Sequence, residues 1–224
     1  MRILHISDTH GSFNPLIGPF DVILHTGDLL PNFPAIMSGD KNKEIECQAN
    51  WISQNISHFK KWIGDNTFLF VAGNHDFTPS QRIVDILVDN NIKAVNITEK
   101  FHQINDKKFY GIPNINKMVG RWAYESTPEE MLKAFNKYKS VLNTHRRIDI
   151  VAAHMPLYGM LDFTRRFERM GSTVFLEEFG KLDYTNLPSV YAHGHCHECF
   201  GVAVHRGMIV SNAATTQNII EIPE

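Results

Sequence analysis

An α/β fold of one domain, built around a largely parallel inner sheet, is what this sequence predicts. Three observations lead there. Short apolar runs of strand character alternate with segments of helical periodicity, the pattern of a sheet covered by helices. The 224-residue length and 43% hydrophobic content suit a single domain with a real core. Several apolar runs end abruptly in Asp, Asn or His, and in parallel sheets ligands gather beyond the carboxyl ends of the strands.

Taken in order, Arg2 to Ser7 is the first strand, followed at once by Asp8-Thr-His10 and Gly11. At a strand end, the two-residue spacing of Asp8 and His10 puts both side chains on one side. After a Pro/Gly loop, Asp21 to His25 is a second strand, tipped by Gly27-Asp28. Residues 30–43, rich in Pro, Gly, Asn and Lys, read as a surface loop. Ile45, Ala49, Ile52, Ile56, Phe59 and Ile63 then recur at helical spacing, predicting one helix over 44–63 with Trp51 and Trp62 widening its apolar face. Phe68 to Ala72 is a third strand, ending in Gly73 and the polar triplet Asn74, His75, Asp76. Pro79 opens a helix that runs through Leu87.

Residues 94–98 read as a short strand, and 101–104 with 108–112 as a hairpin turning at Asn105 to Lys107. Residues 113–126 are an irregular loop carrying Trp122 and Tyr124. Thr127-Pro128 opens a helix from Glu129 to Leu142. Asp149 to Ala153 is another buried strand, tipped by His154. A loop with Gly159, Asp162, Arg165, Arg166 and Arg169 leads to a short helix over 173–182. Ser189 to Ala192 runs into His193-Gly-His-Cys-His197. Strands at about 200–204 and 208–212 pair across His205 to Gly207, and Asn218 to Ile222 closes the chain.

Composition weighs against some functions without favouring nucleic acid as a partner. The formal net charge of −2 offers no field for nucleic acid or an anionic membrane. Three cysteines, Cys47, Cys196 and Cys199, are too few and odd in number for a disulfide framework, which fits a reducing compartment. Strand-like sequence begins at residue 2, leaving no room for a signal peptide, and no apolar run could span a bilayer. A cytoplasmic protein is therefore expected.

The anomaly is histidine. Twelve are present, and five strand tips carry metal-ligand residue types: Asp8 with His10, Asp28, Asn74 with His75, His154, and His195 with His197. Carboxylate oxygen, amide oxygen and imidazole nitrogen together suit manganese, iron or zinc. So many ligands exceed one tetrahedral ion and suit two ions sharing a carboxylate, which can clamp the attacking and leaving oxygens of a phosphoryl transfer. His5, His25 and His193 lie within strands and read as core residues or as supports behind the ligand tips. The run from His193 to Cys199 could pass for a zinc knuckle, but the cysteine supply is poor and Cys196 is expected to pack inward. Asp76 either orients a neighbour or caps its turn. Arg165, Arg166 and Arg169 either meet an anion or form a solvated face, and Trp122 and Tyr124 either cover the site or rim the core. Asn212 ends a strand near the last ligand motif without ranking as a ligand.

The ordered set Asp8-Thr-His10, Gly27-Asp28, Gly73-Asn-His-Asp76, His154 and Gly194-His-Cys-His197 resembles the calcineurin-like metallophosphoesterase superfamily, from residue 3 to about 213. The stretches His154 to Asp162, Gly194 to Gly201 and Ser211 to Ala214 further resemble its metallophosphoesterase-domain (MPPED, or 239-type) branch, which includes metal-dependent phosphodiesterases acting on cyclic nucleotides. The resemblance implies a two-sheet β-sandwich flanked by helices and a centre of two divalent ions, manganese foremost, with iron or zinc suited. Asp8, His10 and His197 would hold one ion. Asn74, His154 and His195 would hold the other, and Asp28 would bridge them. His75 would contact the phosphate and protonate or stabilise the leaving oxygen while a metal-held hydroxide attacks in line. Protein phosphatases of the superfamily carry a longer signature after the Gly-Asp pair. Here Gly27-Asp-Leu-Leu-Pro31 lacks it, which points toward a smaller, diester-oriented site. The expected activity is thus hydrolysis of a small phosphodiester or nucleotide. A nuclease, a phosphomonoesterase or a non-catalytic scaffold are the alternatives.

Overall fold

The computed structural model describes residues 1–223. The chain begins with β1 (Arg2–Ile6) and β2 (Val22–His25), then three helices, α1 (Pro34–Met37), α2 (Lys41–Gln54) and α3 (Ile56–Ile63). β3 (Thr67–Phe70), α4 (Ser80–Asp89) and β4 (Ala94–Asn96) follow. Next come the hairpin β5 (Phe101–Ile104) and β6 (Lys107–Ile112), and two short strands, β7 (Ile115–Asn116) and β8 (Glu125–Ser126). α5 (Pro128–His145), β9 (Ile150–Ala153), α6 (Thr173–Gly180) and β10 (Val190–His193) lead to the final strands β11 (Gly201–His205), β12 (Met208–Asn212) and β13 (Gln217–Glu221).

The strands form two main sheets, one of order β13-β1-β2-β3-β4 and one of order β11-β12-β10-β9-β6-β5. Within the first, β1 to β4 run parallel and only β13 is antiparallel. Within the second, β12, β10, β9 and β6 run parallel, while β11 and β5 are antiparallel edges. Period-two side-chain alternation sorts the apolar residues into layers. Ile3, Leu24, Leu69, Ile150 and Ala192 fill the seam between the sheets. Leu4, Ile23, Phe68 and Phe70 turn outward onto Ile52, Phe59, Ile83 and Leu87 of the first helical layer. Tyr110, Val151 and Tyr191 do the same against Phe135, Tyr138 and Phe179 on α5 and α6. The result is a helix–sheet–sheet–helix sandwich, as the family resemblance implies. Strands buried on both faces explain why their runs are continuously apolar.

Three expectations are corrected. The helix over 44–63 is two helices. Asn55 breaks it, its side-chain Nδ2 donating to Trp51 O (2.8 Å) while its carbonyl accepts the first N–H groups of α3, from His58 (2.9 Å) and Phe59 (3.0 Å). An Asn amide competes with the backbone in this way. The loop over 30–43 contains α1, because the buried Glu44 carboxylate accepts N–H groups from Phe33 (2.7 Å) and Ile36 (3.1 Å) at its start. α2 itself starts at Lys41, where Asp40 accepts from Lys43 N (3.0 Å). The irregular loop over 113–126 carries the parallel pair β7–β8. Elsewhere the elements stand where the sequence puts them to within a few residues. α5 starts on a capping box between Thr127 and Glu130.

Candidate metal centre

All the polar strand tips meet at one end of the sandwich. The loops after β1 and β2 are laced together: Asp8 N donates to Gly27 O (2.9 Å), His10 N to Asp28 O (2.9 Å) and Gly11 N to Leu29 O (2.8 Å). The loop after β10 reaches across from the second sheet, with His195 N donating to Asp8 Oδ2 (3.0 Å). Asp8, His10, Asp28 and His195 all have left-handed backbones, with φ of 54°, 45°, 56° and 68°. A non-glycine residue adopts this region at a cost of about 1–2 kcal/mol, so four such residues at one site mark a backbone bent to aim side chains. Glycine makes the close packing possible. A Cβ on Gly73 would collide with Asp28 Oδ1, and one on Gly194 with the Asp8 carboxylate.

Three overlapping clusters of ligand-type atoms result: Asp8, His10 and His197; His10, Asp28 and His75; and Asp8, Asp28 and His154. Asp28 is central. Its Oδ2 lies 3.3 Å from His154 Nε2 and 3.9 Å from Nε2 of both His10 and His75. Asp8 Oδ1 lies 3.0 Å from His197 Nε2. His154 Nδ1 donates to Thr26 O (2.8 Å), which aims Nε2 at Asp28 and at Asn74 Oδ1, 3.0 Å away. The His195 ring sits 5.0 Å from that of His154, and its buried Nε2 has no hydrogen-bond partner. Every residue of the expected set is therefore brought together.

The electrostatics are those of a site built for cations. Burial opposes charge on Asp28, but His154 beside it holds its carboxyl well below the ordinary range. Burial likewise opposes charge on Asp8, which the His197 hydrogen bond and nearby histidines hold at about 2. His154 is pushed up to about 9: burial works against its charge, and the Asp28 carboxylate outweighs it. His154 Nε2 thus faces two acceptors, the Asp28 carboxylate and Asn74 Oδ1. A metal ion would satisfy the same acceptors and the orphaned His195 nitrogen as well, so the donor set fits divalent cations. Burial pushes His195 down to about 3, leaving a neutral ring able to ligate. No cysteine joins these clusters among the described residues. Cys196 is buried, with its Sγ against Phe163 O (2.9 Å).

The residues left open by the sequence fall into place. Asp76 both caps its turn and orients a neighbour: its buried carboxylate accepts from Gly73 N (2.8 Å), Asp28 N (2.8 Å) and Leu30 N (3.0 Å). Burial and the Asp28 charge push it up to about 7, outweighing the backbone donors. Trp122 covers His75, their rings 4.2 Å apart. His25 is a strut, meeting Thr9 Oγ1 (3.0 Å) and Gly27 N (3.2 Å), and His5 is buried between Ser211 and Thr26. His193 is buried too, as expected of a core residue. Asn212 Nδ2 braces the His195–His197 loop through Cys196 O (2.8 Å) and Cys199 O (3.0 Å). Arg169 is structural, paired with buried Asp162 (2.8 Å) and lying over the Phe163 ring. Arg165 is exposed, 3.6 Å from Glu198.

Sequence reading missed Asn32, whose Oδ1 accepts from His75 Nδ1 (2.8 Å). It sits in the Pro-rich segment, and no pattern announces its contact. It also missed Glu125, which accepts N–H groups from Met118 (2.9 Å), Arg121 (3.2 Å) and Trp122 (3.0 Å) and so shapes the loop that presents Trp122. Among the described residues no helix is long and apolar enough to cross a membrane.

Comparison with known proteins agrees with this architecture. One solved crystal structure superposes with a TM-score of 0.70 at 16% identity, over 95% of this chain and 90% of that one. A second, TT1561 of Thermus thermophilus, gives a TM-score of 0.60 at 12% identity, over 95% and 88%. At such identities the likeness is one of fold. None of the curated proteins matches the sequence. The model of the calcineurin-like phosphoesterase family matches residues 1–199. With that match over most of its length, and with buried His/Asp clusters at the strand tips, the chain belongs to the calcineurin-like phosphoesterase family.

Proposed function

We propose that this phosphoesterase is a dinuclear metal-dependent phosphodiesterase acting on small phosphodiesters, with a cyclic nucleotide as the leading candidate. Asp28 carries the proposal: one carboxylate oxygen within 3.9 Å of three histidines is placed to serve two cations at once. Asp8, His10 and His197 would hold one ion, and Asn74, His154 and His195 the other. When bound, two such ions supply Lewis-acid polarisation of the phosphoryl group and an activated water.

The chain's own residues do the rest. Thr26 O fixes the tautomer and aim of His154. Asp76 holds the backbone of Asp28. His75, steadied at Nδ1 by Asn32 and against its ring by Trp122, presents Nε2 toward the centre. It donates a proton to the leaving oxygen, a task suited to imidazole near neutral pH. Burial lowers its pKa, and the Asp28 carboxylate opposes that shift by favouring the protonated ring that the role requires. The diester preference, and manganese as the working metal, rest on the likeness of the His154–Asp162 and Gly194–Gly201 stretches to the MPPED branch.

The test compares hydrolysis of bis(p-nitrophenyl) phosphate with p-nitrophenyl phosphate, first in chelator and then with added manganese. Manganese-dependent cleavage favouring the diester is expected. A monoester preference would convert the proposal to a phosphomonoesterase, and no cleavage of either ester by protein with two bound ions would refute it.

A further inference from the structure

A cavity of about 550 Å³ opens beside the centre, within the ~300–1,000 Å³ typical of small-molecule sites. Asp8, His10 and His197 form its inner end. Asp28, Asn74, His75 and Trp122 do not line it. Its outer walls are the 12–17 loop, Trp62, and the Thr215–Gln217 turn.

These walls are held in place. Gln217 clamps the 12–17 loop from both sides, its Oε1 accepting from Ile17 N (3.0 Å) and its Nε2 donating to Pro15 O (2.8 Å). Trp62 Nε1 donates to Asn14 O (2.8 Å), tying the same loop to α3. Three elements far apart in sequence are thereby fastened around one space.

The chemistry of the walls is uniform. Outside the metal-centre residues, only apolar, hydroxyl and amide side chains line the cavity, and no Lys or Arg does. A nucleic-acid strand needs cations along its phosphates, and an acidic second group would need a basic partner. Neither finds one here. Apolar walls with a few hydroxyls and amides instead suit an uncharged group of mixed polarity.

We infer that this cavity is the subsite for the alcohol arm that stays on phosphorus, and that it selects an uncharged arm of nucleoside size. The inference rests on the phosphodiesterase reading above. If His75 protonates the departing oxygen, an arm seated in a cavity that His75 does not line is the one retained. The product is then a monoester whose alcohol remains in the cavity until release.

The test has a binding arm and a kinetic arm. Binding of thymidine 5′-monophosphate and of methyl phosphate is measured by calorimetry on manganese-loaded protein. Kinetics compare thymidine 5′-(p-nitrophenyl) phosphate with methyl p-nitrophenyl phosphate. The wild type is expected to favour the thymidine compound in both arms, by roughly ten- to a hundredfold, the scale of discrimination by a shaped pocket. Ser12→Trp and Thr216→Trp, filling the cavity from opposite walls, are expected to bring both ratios toward one. Thermal melts identify a variant that fails to fold, and the other variant then decides.

Hydrolysis of both diesters with no preference in the wild type, or a preference that survives both fillings, would overturn the subsite and leave the phosphodiesterase reading standing. No hydrolysis of any ester would overturn that reading and the subsite together.

Discussion

Asp76→Asn isolates a residue that neither ligates nor touches substrate in the proposed scheme. The carboxylate is 1% exposed and accepts three backbone N–H groups, one of them that of Asp28. Asparagine keeps the shape and offers one oxygen. With that oxygen facing Gly73 and Asp28, its NH₂ faces the Leu30 N–H, and one charge-assisted hydrogen bond is lost at about 1.5–3 kcal/mol. Removing a buried charge beside Asp28 offsets part of this, so a net loss of about 1–2 kcal/mol is expected. For a chain of 224 residues this lowers Tm by about 2–8 °C. The more telling effect is on metal. Asp28 is held by its backbone, so manganese affinity should fall about 10–100-fold, as when partners behind a ligand are removed. Melting curves and manganese calorimetry at pH 8, where Asp76 is ionised, measure both quantities. Manganese affinity within twofold of wild type would refute the idea that Asp76 positions Asp28.

Three further outcomes are expected. His75→Ala should keep both ions by calorimetry yet slow turnover about 10²–10⁴-fold, the range for a lost general acid; loss of metal would contradict its assignment. Gly73→Ala drives a Cβ into Asp28 Oδ1 and His154 and should abolish high-affinity manganese binding, which equilibrium dialysis would detect or refute. Stability of the chelated protein should fall as pH drops from about 6.5 toward 3. Burial pushes His25 and His195 down to about 3 and His193 to about 4, so the unfolded chain takes up protons the folded chain does not. Stability from these groups is full above their unfolded pKa and is lost as pH falls through their folded values. Asp76, raised to about 7, acts the other way: its contribution is full below its unfolded pKa and lost as pH rises through 7. One carboxylate against three histidines leaves acid destabilisation dominant, and urea unfolding that is flat between pH 7 and 4 would contradict it.

Much of this protein could be read before any coordinate. The strands were legible because burial on both faces demands unbroken apolar runs, as in Phe68 to Ala72 and Asp149 to Ala153. The tips were legible because carboxylates and imidazoles rarely end such runs without a partner. Helix limits were less so. Asn55 looks like any helical surface position until its side chain is seen bonding back to Trp51, and Pro34 to Met37 becomes helical only because Glu44 arrives from elsewhere.

The sequence by itself determined the alternation of strands and helices, the order of the tips along the chain, and which residue types could meet. Periodicity and residue chemistry are local properties, and they survive translation into a string. Tertiary structure alone decided which tips converge, that His195 reaches Asp8 from across the two sheets, and that Asp76 binds the backbone beneath Asp28. It also decided that Trp122 lies on His75, and that Gln217 closes the wall of a cavity around residues 12–17. These are contacts between residues as many as two hundred positions apart, fixed by the twist and packing of both sheets, and no spacing along the chain encodes them.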